Sequence, residues 1–181
     1  DSPIPVTFQF SQTVTGFAVG DITVGNGTKS NFAAVDGDTY TVDVTPSGQG
    51  AVTVDVAGAV AKDAADNDND AATQFSITYD SVSPTVTISS TSTSPTNDSP
   101  IPVTFQFSQA VTGFVVGDIT VGNGTKSNFV AADGDTYTVD ITPTAQGAVT
   151  VDVAGAVAKD AADNDNDAAT QLSITYDSDP P

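Results

Sequence analysis

The sequence predicts an all-β protein built from two tandem β-sandwich domains. The first observation behind this is an internal repeat, because the segment that begins at Asp1 begins again at Asp98, a period of 97 residues. Residues 1–84 and 98–181 align without gaps and differ at ten positions. The second observation is apolar–polar alternation at period two, and the third is the lack of any convincing helical periodicity. A period of this length suits one whole domain per repeat.

Short strand-like segments follow one another along each copy. In the first copy the predicted strands are residues 5–11, 21–24, 31–35, 39–45, 51–57 and 74–80. In the first of these, Val6, Phe8 and Phe10 share one face, which is the pattern of a half-buried strand. The dipeptide Asn26-Gly27 accepts positive φ and predicts a tight turn between the second and third strands. The Ala-rich stretch 57–65 has room for one turn of helix at most.

A strand-like leader precedes the second copy and has no equivalent before Asp1. It is the sequence TVTIS at residues 85–89, within the connecting segment 81–97. We therefore expect a first module at 1–80 that lacks its leading strand, a complete module of about seven strands at 81–178, and the start of a linker to a next module at 179–181. The first module would take its missing strand from upstream residues, take one from another chain, or leave a hydrophobic edge open.

Two of the ten differences between the copies look coupled. Ala33 corresponds to Val130, whereas Val35 corresponds to Ala132, so a small and a large residue are exchanged two positions apart. Residues two apart lie on one face of a strand, and the exchange keeps the total side-chain volume. We interpret it as compensation within a packed core.

Composition excludes several classes of function. The chain has no Cys, His, Met or Trp, its acidic residues are all Asp, its basic residues are all Lys, and its formal charge is −19. Disulfides, thiol or histidine catalysis and Cys/His zinc sites are thereby excluded. So much negative charge argues against nucleic-acid binding, and no apolar run is long enough for membrane insertion. We expect no enzymatic activity, because the loops are short and no cleft-forming insertion is evident.

About seven short strands per module, with turn signals between them, predict an immunoglobulin-like sandwich without the disulfide and core Trp of antibody domains. The order PIPVTFQFS, VTGF, DITVGNGT, DGDTYTVDVTP and VTVDVAGAVAKDAADNDND resembles the bacterial Ig-like domains of large cell-surface adhesins and biofilm proteins. The resemblance covers both copies almost end to end. It implies a secreted extender module, often stabilised by calcium. The last loop departs from the family pattern, since Gly is more typical where Asp66 and Asp163 stand.

The acidic loop, Lys62–Asp70 and its copy Lys159–Asp167, is the segment best suited to chemistry. Asp66, Asp68 and Asp70 place oxygen donors at i, i+2 and i+4, and Ca²⁺ prefers six to eight such ligands. The loop lacks the Gly and the closing Glu of an EF-hand. Its alternative interpretation is an acidic, solvated turn that holds no metal. The predicted calcium ligands are Asp21, Asp63, Asp66, Asp68, Asp70, Asp80, Asp118, Asp160, Asp163, Asp165 and Asp167.

Immunoglobulin-like topology explains why residues outside the loop belong to this set. In a complete module, counted from its leading strand, the loop before the last strand lies at the same end of the sandwich as the loop between the second and third strands. The start of the domain lies at that end as well. Asp118 and the linker residue Asp80 are therefore expected near Asp160–Asp167, and Asp21 near Asp63–Asp70. Calcium bound there would stiffen the joint between modules.

The function expected from these observations is a structural spacer of a secreted bacterial surface adhesin or extracellular fibre. Its partners would be neighbouring copies of the same module, at the bacterial cell surface or in the extracellular medium. One alternative is a carbohydrate-binding module, which would use exposed aromatic rings; Phe17 and Phe114 lie in a loop, but we expect them to cap the core. The other alternative is a fibre subunit that assembles by strand donation between chains.

Overall fold

The structure, a computed structural model, describes residues 2–180, and the chain divides into two compact units between Asp80 and Ser81. The strands of the first unit are β1 (Ile4–Gln9), β2 (Ile22–Gly25), β3 (Gly27–Ala34), β4 (Thr39–Pro46), β5 (Gly50–Val56) and β6 (Phe75–Tyr79). Those of the second are β7 (Val86–Ser90), β8 (Ile101–Phe107), β9 (Ile119–Gly122), β10 (Gly124–Ala131), β11 (Thr136–Pro143), β12 (Gly147–Val153) and β13 (Leu172–Tyr176). Short 3₁₀ helices at Val19–Asp21 and Val116–Asp118 precede β2 and β9.

The second unit is a sandwich of two antiparallel sheets. One sheet has the order β10-β11-β8-β7 and the other β13-β12-β9. Numbered from the first strand of the unit, this is the four-plus-three arrangement of a constant-type immunoglobulin domain. Buried residues from both sheets form one hydrophobic cluster. The predicted fold class is confirmed.

The first unit repeats this arrangement with one strand fewer. Its sheets have the orders β1-β4-β3 and β2-β5-β6. In the second unit β8 pairs with β11 on one side and β7 on the other, whereas the corresponding strand β1 pairs with β4 alone among the described strands. The outer edge of β1 is therefore the place where the two units differ, as expected from the leader that precedes the second copy.

An aromatic cluster closes one end of each sandwich. Phe114 lies in the loop before β9, yet it is 5% exposed and its ring centroid lies 5.0 Å from that of Tyr137 and 5.2 Å from that of Phe107. Edge-on arrangements of this kind are favourable for aromatic pairs. Phe17 holds the same position in the first unit, 7% exposed. The loop phenylalanines thus cap the core, as the sequence predicted.

The interpretation of the coupled exchange on the third strand is wrong. Val35 is 62% exposed and Val130 is 52% exposed, so neither belongs to the core. The cause is a break in the strand: the pairing register of β3 shifts between Ser30 and Ala33, and Asn31 takes a left-handed φ of 52°. A bulge of this kind shifts the phase of the alternation, so the face that Ala33 and Val35 share is the solvent-exposed one.

Candidate functional site: the acidic loops

The two acidic loops are stabilised by their own cross-bridges. In the second unit Lys159 forms isolated β-bridges with Thr112 on one side and Asp165 on the other. The chain reverses at Asp163, whose φ of 65° lies in the left-handed region. Asp66 has the same conformation in the first loop, with φ 62°. Glycine adopts this conformation without strain, which agrees with the Gly that the resemblance led us to expect at these positions.

The carboxylate of Asp160 holds its loop together. Its Oδ1 accepts the backbone N–H groups of Ala162 at 2.8 Å and Asn164 at 2.9 Å, and its Oδ2 accepts the Asn164 side-chain amide at 2.9 Å. The Gln109 side chain donates to the same Oδ2 at 2.8 Å. These hydrogen bonds, first that of the Asn164 side chain, lower the pKa of Asp160. The equivalent bonds, first that of the Asn67 side chain, lower the pKa of Asp63.

These lowered pKa values predict acid sensitivity. Because the pKa of Asp63 and Asp160 is lower in the folded chain, the unfolded state binds protons first as the pH falls. Their contribution to stability should be complete above the unfolded pKa, near about 4, and should be lost as the pH drops through the folded pKa. Urea unfolding between about pH 6 and pH 2 measures this loss. The variant D160A should show a smaller loss below about pH 4, and an unchanged pH dependence would contradict the assignment.

A lysine ammonium occupies each acidic loop. Lys159 Nζ lies 2.8 Å from Asp165 Oδ1 and 3.1 Å from the carbonyl oxygen of Asp163. The hydrogen bond with Asp165 raises the pKa of Lys159. Lys62 makes the same pair with Asp68, at 2.5 Å. Both pairs are about half exposed, so solvent screens them and each stabilises its loop only weakly.

A buried asparagine, which sequence reasoning did not single out, joins the loop to the end of β12. Asn166 is 3% exposed. Its Oδ1 accepts the N–H groups of Val157 at 2.9 Å and Ala158 at 2.8 Å, and its Nδ2 donates to the carbonyls of Ala154 at 3.0 Å and Asp167 at 2.8 Å. Asn69 makes the same four bonds in the first unit. The strict Asp–Asn alternation was the available signal, because an amide both donates and accepts.

Three segments of the second unit meet at the acidic loop, as the immunoglobulin-like order requires. Gln109, between β8 and β9, donates to the Val82 carbonyl at 3.1 Å as well as to the loop carboxylate. The N–H of Asp167 donates to the Pro84 carbonyl at 2.8 Å. The start of the domain and the loop after its second strand therefore both contact the acidic loop.

Two of the remaining predicted calcium ligands accept hydrogen bonds within their own turns. Asp21 and Asp118 accept the N–H groups of Ala18 and Val115, each at 2.8 Å, within their 3₁₀ turns. Asp80 is half-buried directly after β6. No side-chain hydrogen bond within residues 2–180 involves the carboxylates of Asp66, Asp70, Asp163 and Asp167. Within the same residues, no three acidic side chains come together in a group that could hold a metal ion. Calcium binding stays a prediction.

In the described part of the chain, no helix is long and apolar enough to span a bilayer. No curated protein matches the sequence. Three solved structures are similar: Yersinia pseudotuberculosis InvD (17% identity, TM-score 0.42), the Yersinia pseudotuberculosis adhesin InvE (14%, 0.32), and the Bacteroides ovatus mixed-linkage glucan utilization protein SGBP-B in complex with a heptasaccharide (17%, 0.29). The alignments cover 95%, 96% and 97% of this chain.

The same alignments cover 51%, 53% and 41% of those three chains, so this chain spans about half the length of the first two. The model of the bacterial Ig-like domain matches residues 2–79 and again residues 80–176, which together are nearly the whole sequence. The chain therefore belongs to the bacterial Ig-like domain family, of which it contains two tandem copies.

Proposed function

We propose that this chain is a structural extender of a secreted bacterial surface adhesin or extracellular fibre. The observation that carries the proposal is the tandem repetition of one Ig-like module with ten differences over 84 aligned residues. Near-identical copies add length to a protein while presenting the same surface each time. A catalytic role gains nothing comparable from repetition without divergence.

The charge distribution supports the same function. Lys29 donates to the carbonyls of Val19 and Ile22, and Lys126 makes the same bonds in the second unit. Lys62 and Lys159 are paired within the acidic loops. All four lysines of the chain are thus held by their own module, and the net charge of −19 remains for the surface. Like-charged modules repel one another, which opposes lateral association and favours an extended array.

A carbohydrate-binding module is the second candidate. Glycan sites generally present aromatic rings, and Phe75 is the one exposed aromatic side chain that the described residues offer, at 42%. A single exposed ring is a weak basis for sugar recognition. The extender is therefore the better-supported function.

The extender function predicts a length that grows with module number. Two copies of the 181-residue chain joined in tandem should have a maximum dimension, measured by small-angle scattering, close to twice that of one copy. The physical reason is that short connections and a shared negative charge oppose folding back of one module on another. A joined protein little longer than one copy would contradict the extender function.

Calcium is the finer part of the proposal. In each acidic loop, lysine neutralises one carboxylate, and two others accept no side-chain hydrogen bond: Asp66 and Asp70 in the first loop, Asp163 and Asp167 in the second. A divalent cation would offset the repulsion between these carboxylates. Millimolar calcium should then raise the melting temperature measured in EDTA and lengthen the particle in scattering. Magnesium at the same ionic strength is the control for screening. Equal melting temperatures with and without calcium would contradict calcium binding and would leave the proposed extender function unaffected.

A further inference from the structure

Each module has one side on which the edge strands of both sheets lie next to each other in sequence. Among the described strands, β2 pairs with β5 alone and β3 pairs with β4 alone, and the turn at Asn26 joins the two edges. In the second unit β9 and β10 are the corresponding edges, joined at Asn123. An edge strand presents N–H and C=O groups on which a strand of another chain can form hydrogen bonds. Because the repeat presents this side in every copy, two modules could pair through it symmetrically.

Lys29 is a charged residue at an inward-facing position of the edge strand β3. It lies opposite Val44, which is 0% exposed, and opposite residues of an antiparallel pair project from the same face of the sheet. The lysine side chain therefore points toward the second sheet. There its ammonium donates to the carbonyl of Val19 at 2.7 Å and to that of Ile22, the first residue of β2. One side chain thus connects the edges of the two sheets.

Lys126 makes the same connection in the second unit. It lies opposite Ile141, which is 0% exposed, and its Nζ donates to the carbonyls of Val116 at 2.8 Å and Ile119 at 2.5 Å. The residue opposite the lysine is Val in one copy and Ile in the other, yet the ammonium reaches the equivalent two carbonyls. The arrangement is therefore a property of the module and not of one copy.

Apolar surface surrounds this ammonium. In the first unit an open groove of about 540 Å³ lies between the two edges, where Val19, Ile22 and Val24 supply apolar surface and Lys29 supplies the charge. Val19 is 42% exposed, and its counterpart Val116 is 41% exposed. Exposed apolar surface favours association. A strand added at this edge would cover the ammonium and exclude water from it, which costs free energy because a charge is buried.

A bulge interrupts the rest of the β3 edge. The pairing register shifts after Ser30, and Asn31 takes a left-handed φ of 52°, as Asn128 does in the second unit. Bulges disrupt the regular spacing of hydrogen-bonding groups that an added strand requires. The regular part of this edge is therefore residues 27–30, and Lys29 lies within it.

We propose that Lys29 and Lys126 keep this side of each module from pairing edge to edge with a second copy of the chain. The lysine acts in two ways: pairing would bury its ammonium, and that ammonium already holds a carbonyl at the β2 or β9 edge. An apolar residue at the same position would have neither effect. The inference does not rest on the extender function, because it concerns how one module meets another and not what the array carries.

The test compares two double variants of the whole 181-residue chain in EDTA. K29M/K126M removes both charges and keeps long, unbranched side chains. Analytical ultracentrifugation should show its association at a protein concentration at least roughly tenfold lower than that of the parent chain. The variant is more negative than the parent by two charges, which by itself opposes association. K62M/K159M has the same change in net charge within the acidic loops and should sediment as the parent does.

Hydrogen exchange locates the contact. In associated K29M/K126M the amides of β2 and β9 should exchange more slowly than in the parent chain, while those of β5 and β12 stay equally protected. The exposed edge of β1 is present in every variant, so it produces no difference between them. Sedimentation of K29M/K126M like the parent, equal association of the two double variants, or association without protection of β2 and β9 would overturn the proposal. Loss of protection in β5 and β12 would assign these lysines to folding stability and overturn it as well.

Discussion

Replacing Asn166 by Ala is expected to lower the free energy of unfolding of the second module by about 4 kcal/mol. The substitution removes four hydrogen bonds at once and leaves two N–H and two carbonyl groups without their partner. Because Asn166 is 3% exposed, water has little access to replace it. The loss should therefore approach the cost of burying unsatisfied backbone groups rather than the smaller net value of exchanged hydrogen bonds.

The matched variant is N69A in the first module. Asn69 makes the same four bonds but is half-buried, so water can reach part of the vacated site and the expected loss is about 2 kcal/mol. Chemical denaturation of the whole chain, followed by hydrogen exchange on peptides that span one of the ten differing positions, separates the two modules. Equal losses in both modules would show that burial does not control the effect.

Truncation of Phe105 to Ala is expected to lower the free energy of unfolding of the second module by about 4 kcal/mol. Phe105 is 0% exposed, faces β7 on one side, and lies 5.6 Å from the ring of Phe114. Removing its ring leaves a cavity that strands fixed on both sides cannot close. The equivalent truncation, F8A, should cost the first module about half as much, because Phe8 is half-buried and already contacts solvent.

Most of the fold was predictable because strand alternation is a local signal. The strands that bury Val42 and Val54 were located by the spacing of their apolar residues, and the turn at Asn26 by its Asn-Gly pair. The third strand was harder, since its bulge at Asn31 interrupts the alternation and exposes Val35. No spacing in the sequence reveals a register shift that depends on pairing with β4.

The candidate site was predictable in position but not in internal arrangement. The Asp-Asn alternation indicated an acidic loop, and immunoglobulin-like topology brought Gln109 and Pro84 to it. Composition alone did not show that Lys159 would pair with Asp165, because that contact requires the loop to reverse at a left-handed residue. The side-chain types that could bind a metal can be read from a sequence, whereas the directions in which those side chains point depend on the backbone conformation.

Local order along the chain was enough to predict the all-β class and the tandem repeat, and the resemblance indicated the family. Tertiary structure decided how the same residues behave in each copy: Phe8 and Phe105 lie in identical stretches of sequence, yet one is half-buried and the other is fully buried. The difference comes from β7, which is separated from the residues that it covers by a long connection and is present beside one copy alone among the described residues. Burial is a property of the assembled sheets, because it depends on which strand lies against a residue and not on the residue's own neighbours in sequence.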